Sequence, residues 1–344
     1  MTASNSASPP LLDGDALMAR LPSVRGRMRP MAPLAPYTWL RVGGPAEVLF
    51  EPADTPDLAA LLAGLSAEIP VTVLGVGSNM IIRDGGVPGV VVRLGRPFSK
   101  IISTDGVRIC AGAATPDAKV ASAAAEAGIA GLEFLRGVPG AMGGAVRMNA
   151  GAYGRYLADV FVSAEAVDRS GQTRLLTADQ IGFGYRETAA AGLIYTAVTL
   201  EGADGDPAEI RARMDALLAQ RSESQPVRDR TAGSTFRNPA GYSSTGAADD
   251  PMEMKAWALI EKAGCRGLRR GGAVMSEKHA NFLTNAGGAT AADLEGLGED
   301  VRRRVWEATG VRLEWEIQRI GAPADPEGAA AAAGFDADAP ASPA

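Results

Sequence analysis

The stretch Phe134-Leu135-Arg136-Gly137-Val138-Pro139-Gly140-Ala141-Met142-Gly143-Gly144-Ala145-Val146-Arg147-Met148-Asn149-Ala150-Gly151-Ala152-Tyr153-Gly154 restricts this chain more than any other. A loop that only connects two elements seldom needs so many residues without side chains. A large flat cofactor lying against bare main chain does need them. A dinucleotide is therefore the leading expectation, with a glycine-rich packing segment as the alternative. The chain holds 42 glycines in 344 residues, well above the usual share of about 7%, and they lack the strict period of collagen. They mark particular loops.

A second loop, Leu74-Gly75-Val76-Gly77-Ser78-Asn79, follows a predicted strand, and its small residues let amides approach an anion such as a phosphate. It contains GxG without GxGxxG. Ser78-Asn79 leads into Met80-Ile81-Ile82, which reads as a strand rather than a helix, so the Rossmann pattern fails. A tight connection between strands is the alternative reading here.

Composition narrows the class. Hydrophobic residues make up 46% and charged residues 22%, the balance of a globular protein. At about 100 to 200 residues per domain, two or three domains are expected. A net charge of −6 opposes non-specific attraction to nucleic acid or an anionic membrane. Cys110 and Cys265 form neither a disulfide framework nor a CxxC motif, and His279 is the single histidine, so no metal site is expected. With no membrane-length apolar run and no secretory signal at Met1 to Pro10, the expectation is a cytoplasmic protein with no obligate protein partner.

Along the chain, Met1 to about Pro30 reads as a loosely held arm, with a short helix over Ala16 to Leu21. Thr55-Pro56-Asp57 opens a surface helix carrying Leu58, Leu61, Leu62 and Leu65. Val71 to Leu74 and Val90 to Leu94 read as buried strands. Asp105-Gly106 and Arg169-Ser170-Gly171 mark hairpins. Further helices are expected from Thr115-Pro116-Asp117 to Gly128, from Asp206-Pro207 to Arg221, from Met252 to Ala263 and from Thr290 to Thr309, the last with the capping-box spacing Thr290-x-x-Asp293. A final strand spans Arg312 to Arg319. Hairpins interleaved with single helices predict an α+β architecture rather than a doubly wound sheet. The expected divisions are an arm at 1–34, a cofactor domain at 35–203 in two subdomains (35–96 and 97–203), a C-terminal domain at 204–321 and an Ala/Pro-rich disordered tail at 322–344.

Several motifs follow in one order: Thr38-Trp39-Leu40-Arg41-Val42-Gly43-Gly44-Pro45-Ala46, Gly75 to Asn79, Gly137 to Gly154, Gly184-Tyr185-Arg186-Glu187-Thr188, Ala232-Gly233-Ser234-Thr235-Phe236-Arg237-Asn238-Pro239, Ser276 to Asn285, and Leu313-Glu314-Trp315-Glu316-Ile317. Over roughly Tyr37 to Gly321 they resemble the UDP-N-acetylenolpyruvoylglucosamine reductases of bacterial peptidoglycan synthesis. The short interval from Arg186 to Ser234 is closer to the second-type branch of that family. The resemblance implies an FAD-binding fold of the vanillyl-alcohol-oxidase-like type with a separate C-terminal α+β substrate domain. It implies cofactor contacts from Gly75, Val76, Gly77, Ser78, Asn79, Arg136, Gly137, Pro139, Gly140, Gly143, Gly144, Ala145 and Asn149.

The reaction so implied is reduction of an enolpyruvyl UDP-sugar by NADPH through FAD, giving UDP-N-acetylmuramate. By the same resemblance Arg186 faces the substrate carboxylate, Ser234 donates the proton, and Glu316 acts on the enolate as an acid or hydrogen-bond donor. Read without the resemblance, Arg186 pairs with Glu187 and Ser234 holds a turn. Strand alternation puts Glu314 and Glu316 on one face, and the family motif favours Glu316. Tyr153, Tyr185, Arg237, Asn238 and His279 are expected near the nucleotide-sugar, His279 with a structural role equally in view. Family members often carry a basic residue where this chain has Gln318, with Arg319 one place later. The competing readings are another FAD-dependent sugar or alcohol oxidoreductase on the same cofactor fold, and a nucleotide-sugar-binding module without turnover.

Overall fold

The β-branched runs assemble into the first of three larger sheets, of four or five strands each, in a computed structural model that describes residues 12–242 and 254–325. Strand order is Arg27–Pro33, Pro45–Glu51, Val87–Val92, Val71–Val73; the first pairing is antiparallel and the other two are parallel. Helix Thr55–Gly64 makes the crossover and buries Leu58, Leu61 and Leu62 against Val48, Phe50, Val90 and Val92. Asp54, one residue earlier than expected, caps it by accepting from the Asp57 amide at 2.9 Å. The stretch expected to be a loose arm supplies an integral strand, Arg27–Pro33, and a short helix, Gly14–Met18, anchored by buried Leu17. Residues 1–11 of that arm lie outside the described residues.

The second sheet is antiparallel throughout, in the order Thr173–Leu176, Phe161–Asp168, Leu193–Glu201, Arg108–Gly112, Ile101–Asp105. Both predicted hairpins are present in it. Helix Pro207–Ser224, capped by Asp206, buries Ile210 and Met214 in the core of this sheet together with Val120, Leu132 and Phe134. That helix therefore packs with the middle lobe and not with the C-terminal part, where an expected division at 204 would put it.

In the C-terminal lobe, strands Thr231–Ser234, Phe282–Asn285, Ala273–Met275 and Arg269–Arg270 are backed by helices Ala256–Lys262 and Ala291–Thr309. The capping box of Thr290 and Asp293 and a left-handed Gly310 bound the long helix as the sequence predicts. Met252 and Glu253, the expected start of the shorter helix, lie outside the described residues. The core of this lobe takes in Leu40, Val42 and Ile81 from the first lobe.

The last strand is shorter than expected. Only Gln318–Ile320 pairs, in parallel, with Met80–Ile82 of the first lobe. The preceding residues form a single bridge, Phe236 to Trp315, and the amides of Glu316 (2.9 Å) and Ile317 (3.4 Å) both reach the Thr235 carbonyl. This crowding breaks the two-residue alternation, so Glu314 is exposed while Glu316 turns inward. Ala322, the first residue of the expected tail, is held: its amide donates to the Gly86 carbonyl at 2.8 Å and its carbonyl accepts from Gly85 at 2.9 Å. Residues 326–344 lie outside the described residues.

Candidate active site

The connection from Val71–Val73 to Met80–Ile82 leaves the amides of Gly75, Val76, Gly77, Ser78 and Asn79 without a protein acceptor among the described residues. Gly77 is left-handed (φ 64°), and a Cβ there would overlap the Tyr37 carbonyl, so only glycine fits. Gly75 and Gly144 face open space, while Gly143 packs on Ala113. Consecutive free amides beside bare backbone suit the pyrophosphate and flat rings of a dinucleotide such as FAD. Arg136, in the short turn Glu133–Gly137, makes no hydrogen bond or ion pair with any described residue. Pro139 and Gly140 stand beside it, Ala145 is buried, and a Cβ on Gly140 would lie 2.7 Å from Asp117 Oδ2.

Arg186 sits in a two-residue turn between Phe183–Gly184 and Glu187–Thr188 with φ of 58°, a conformation that turns usually give to Gly or Asn. A left-handed arginine is strained by about 1 kcal/mol or more and persists where the surroundings over-determine it. Its Nε lies 2.8 Å from Glu316 Oε1, and Nη2 donates to the Gly151 carbonyl at 3.3 Å. Both side chains of the pair are nearly buried, at 13% and 14% exposure. Glu187, the alternative partner expected for Arg186, instead lies 3.6 Å from Arg237. Arg237 Nε is buried and has no hydrogen-bond partner among the described residues.

Burial pushes the Glu316 carboxyl above its ordinary range, with Arg186 and Arg237 partly offsetting it. Tyr185, whose ring lies 5.5 Å beneath the Arg186 guanidinium, accepts from the Asn238 amide at 3.4 Å; its phenol is pushed up by burial and by Glu316. Asn79 ties the cofactor loop to the same place, its Nδ2 donating to the Glu316 carbonyl at 3.2 Å. Ser234 ends strand Thr231–Ser234, next to the Thr235 carbonyl that receives the Glu316 amide. Its hydroxyl has no hydrogen-bond partner among the described residues. Arg186 and Glu316, far apart in sequence, thus meet beside the glycine loops, and the strand that ends at Ser234 reaches Glu316 through the Thr235 carbonyl.

Two family models cover the chain: an FAD binding domain over residues 46–177 and the UDP-N-acetylenolpyruvoylglucosamine reductase C-terminal domain over residues 225–320. The reductase of Azorhizobium caulinodans is 57% identical over 310 residues, covering 90% of this chain and 96% of that protein. That of Paracoccus denitrificans is 58% identical over 304 residues, covering 88% and 99%. The chain belongs to the UDP-N-acetylenolpyruvoylglucosamine reductase family. The crystal structure of the Thermus caldophilus reductase superposes with a TM-score of 0.70 at 34% identity, covering 87% of this chain and all of that one. The chain is thus an FAD-containing oxidoreductase of α+β fold.

Within this reductase, four expected contact residues have other work. The Asn149 side chain donates to the Gly184 carbonyl at 2.9 Å and accepts from the Ala158 amide at 3.0 Å, so it holds the Arg186 turn. The Asn238 amide is spent on the Tyr242 carbonyl and the Ala256 amide. The Tyr153 hydroxyl donates to the Leu217 carbonyl at 3.3 Å. His279 packs edge-on against Phe282 and accepts from the Asn281 amide at 3.3 Å.

Desolvation lowers the His279 pKa to about 4, so the imidazole is neutral at pH 7. A base with a depressed folded pKa binds its proton more readily when unfolded, so its contribution is complete above about pH 6.5 and is lost as pH falls toward 4. Unfolding at pH 7 and 4.5 should show the stability advantage over His279→Gln shrinking by about 2 kcal/mol. An advantage equal at both pH values would refute the buried neutral imidazole.

Two groups, one half-buried and one fully buried, lie outside the sequence expectations. Arg221 donates to the Gly137 carbonyl and, at 2.9 Å, to Gln225 Oε1, bracing the glycine loop from helix Pro207–Ser224. Its position on the stripe of Ile210, Met214 and Leu217 was the available signal. Asp117 is fully buried beneath Gly140 with neither carboxyl oxygen hydrogen-bonded to a described residue, and burial raises its pKa well above the usual range. As the first residue of helix Asp117–Glu126 it looks in sequence like an ordinary dipole acid.

Proposed function

We propose that this chain uses NADPH and FAD to reduce UDP-N-acetylglucosamine enolpyruvate to UDP-N-acetylmuramate, in the cytoplasm, as a step of peptidoglycan synthesis that serves cell shape and division. The observation that carries the reading is the nearly buried pair Arg186 and Glu316, 2.8 Å apart, tied to the glycine loops by Gly151 and Asn79 and to the strand of Ser234 by the Thr235 carbonyl. The free amides of Gly75 to Asn79 would hold FAD, which, once reduced by NADPH, would supply the hydride for the substrate methylene.

The chain's own residues do the rest. Arg186 presents a planar fork to the substrate carboxylate, and its turn aims the fork from a fixed backbone. Hydride addition leaves negative charge on the carbon beside that carboxylate. Ser234 transfers its hydroxyl proton to this carbon, where desolvation makes the enolate a strong base. Once the substrate carboxylate shares Arg186, burial favours the neutral form of Glu316, which then donates a hydrogen bond to the enolate oxygen. Arg237, with Nε unpaired, and Tyr185 serve the nucleotide-sugar.

Turnover provides the test. Beyond the one equivalent that reduces the flavin, NADPH should be consumed steadily only when the enolpyruvyl UDP-sugar is present, with one lactyl ether formed per NADPH consumed in turnover. Oxidation in air without that sugar, at the same rate, would favour an oxidase on the same cofactor fold.

A further inference from the structure

Helix Ala291–Thr309 presents Gly298 and Glu299 to the segment that carries Glu316. A Cβ on Gly298 would overlap Cη2 of Trp315, so the indole rests directly on helix backbone. Trp315 Nε1 donates to Glu299 Oε1 at 2.7 Å, and Arg319 Nη1 donates to the same oxygen at 3.1 Å. Glu299 Oε2 accepts from Arg302 at 2.7 Å, and Arg302 Nε donates to the Leu313 carbonyl at 2.9 Å. The Arg319 guanidinium lies 4.7 Å over the indole, and Phe236 lies 5.1 Å from it. The carboxylate is only 14% exposed, so its charge-assisted bonds are little screened.

Trp315 precedes Glu316 and bridges Phe236, which follows Ser234-Thr235. What fixes the indole therefore fixes the spacing of Ser234 and Glu316. We propose that Glu299 is a positioning residue for the reduction: through Trp315 it holds Glu316 against Arg186 and the Ser234 strand. This inference rests on the reading that Glu316 acts on the enolate.

Rapid mixing of the holoenzyme separates flavin reduction by NADPH from flavin reoxidation by the enolpyruvyl sugar. Glu299→Ala should slow reoxidation about tenfold or more, the scale of a small misplacement of a reacting group. Reduction should stay within about twofold and KM for the sugar should change little. Glu299→Gln keeps an acceptor for the indole N–H and should recover most of the rate. Trp315→Phe should match Glu299→Ala, and the double variant should be no slower than either single one, since both act through one contact. The alkaline limb of reoxidation should move to lower pH in Glu299→Ala as water reaches Glu316.

A lowered melting temperature with unchanged reoxidation would overturn the proposal. So would equal slowing of both half-reactions, or Glu299→Gln as slow as Glu299→Ala. Glu316→Gln is the control: normal reoxidation there would overturn the reading of Glu316 and the positioning role with it. Slow reoxidation in Glu316→Gln with a normal rate in Glu299→Ala would overturn the positioning role alone.

Discussion

Replacing Ser234 by alanine is expected to leave NADPH bleaching the flavin at its normal rate while slowing reoxidation by the enolpyruvyl sugar about 10²- to 10⁴-fold, the usual contribution of a positioned proton donor. The substitution is clean because the Ser234 hydroxyl makes no hydrogen bond to a described residue. Its loss leaves no buried partner unsatisfied, and stability should stay within about 0.5 kcal/mol. Ser234→Cys, with a more acidic but bulkier donor, should recover part of the rate. Reoxidation at the normal rate in Ser234→Ala would remove Ser234 from the mechanism.

Arg186→Met should raise KM for the enolpyruvyl sugar about 100-fold, because two charge-assisted bonds to a carboxylate are lost at about 1.5 to 3 kcal/mol each, with partial compensation by water. The same change strips Glu316 of its nearest positive charge. Breaking a buried pair ordinarily costs about 3–5 kcal/mol, but a carboxyl already raised by burial can escape by taking up a proton. The sign follows from linkage. A carboxyl with a raised folded pKa contributes stability that is present at low pH and is lost as pH rises through that pKa. Without Arg186 the Glu316 pKa rises further, so the variant should be destabilised more at pH 9 than at pH 6. Chemical denaturation at the two pH values measures this, and an equal loss at both would contradict the buried pairing.

Most of the scaffold was legible because its signals are local. Thr290 with Asp293, Asp206-Pro207 and Asp105-Gly106 satisfy or punctuate backbone within a few residues, and each element lies where those residues put it. The α+β class followed from the alternation of hairpins and helices. The edge strand Arg27–Pro33 was missed because it takes its partner from Pro45–Glu51, and a Pro- and Arg-rich edge lacks the alternation of a central strand.

The site was legible as a set of residue types on the strength of the resemblance, and less so as geometry. The inward turn of Glu316 depends on a bulge against the Thr235 carbonyl, which no pattern within Leu313 to Ile317 records. Asn149 and Asn238 look like ligand donors in sequence, but their amides are consumed by carbonyls and amides that only the fold brings near. Asp117 is buried and Arg221 half-buried by elements distant in sequence, so their charges read as surface charges until the packing is known.

Anaerobic titration of the flavin tests the central claim most directly. The yellow absorption should bleach as NADPH is added and return when UDP-N-acetylglucosamine enolpyruvate is supplied, one equivalent restoring one flavin. Bleaching that persists with the sugar present and reverses only when air is admitted would contradict the account.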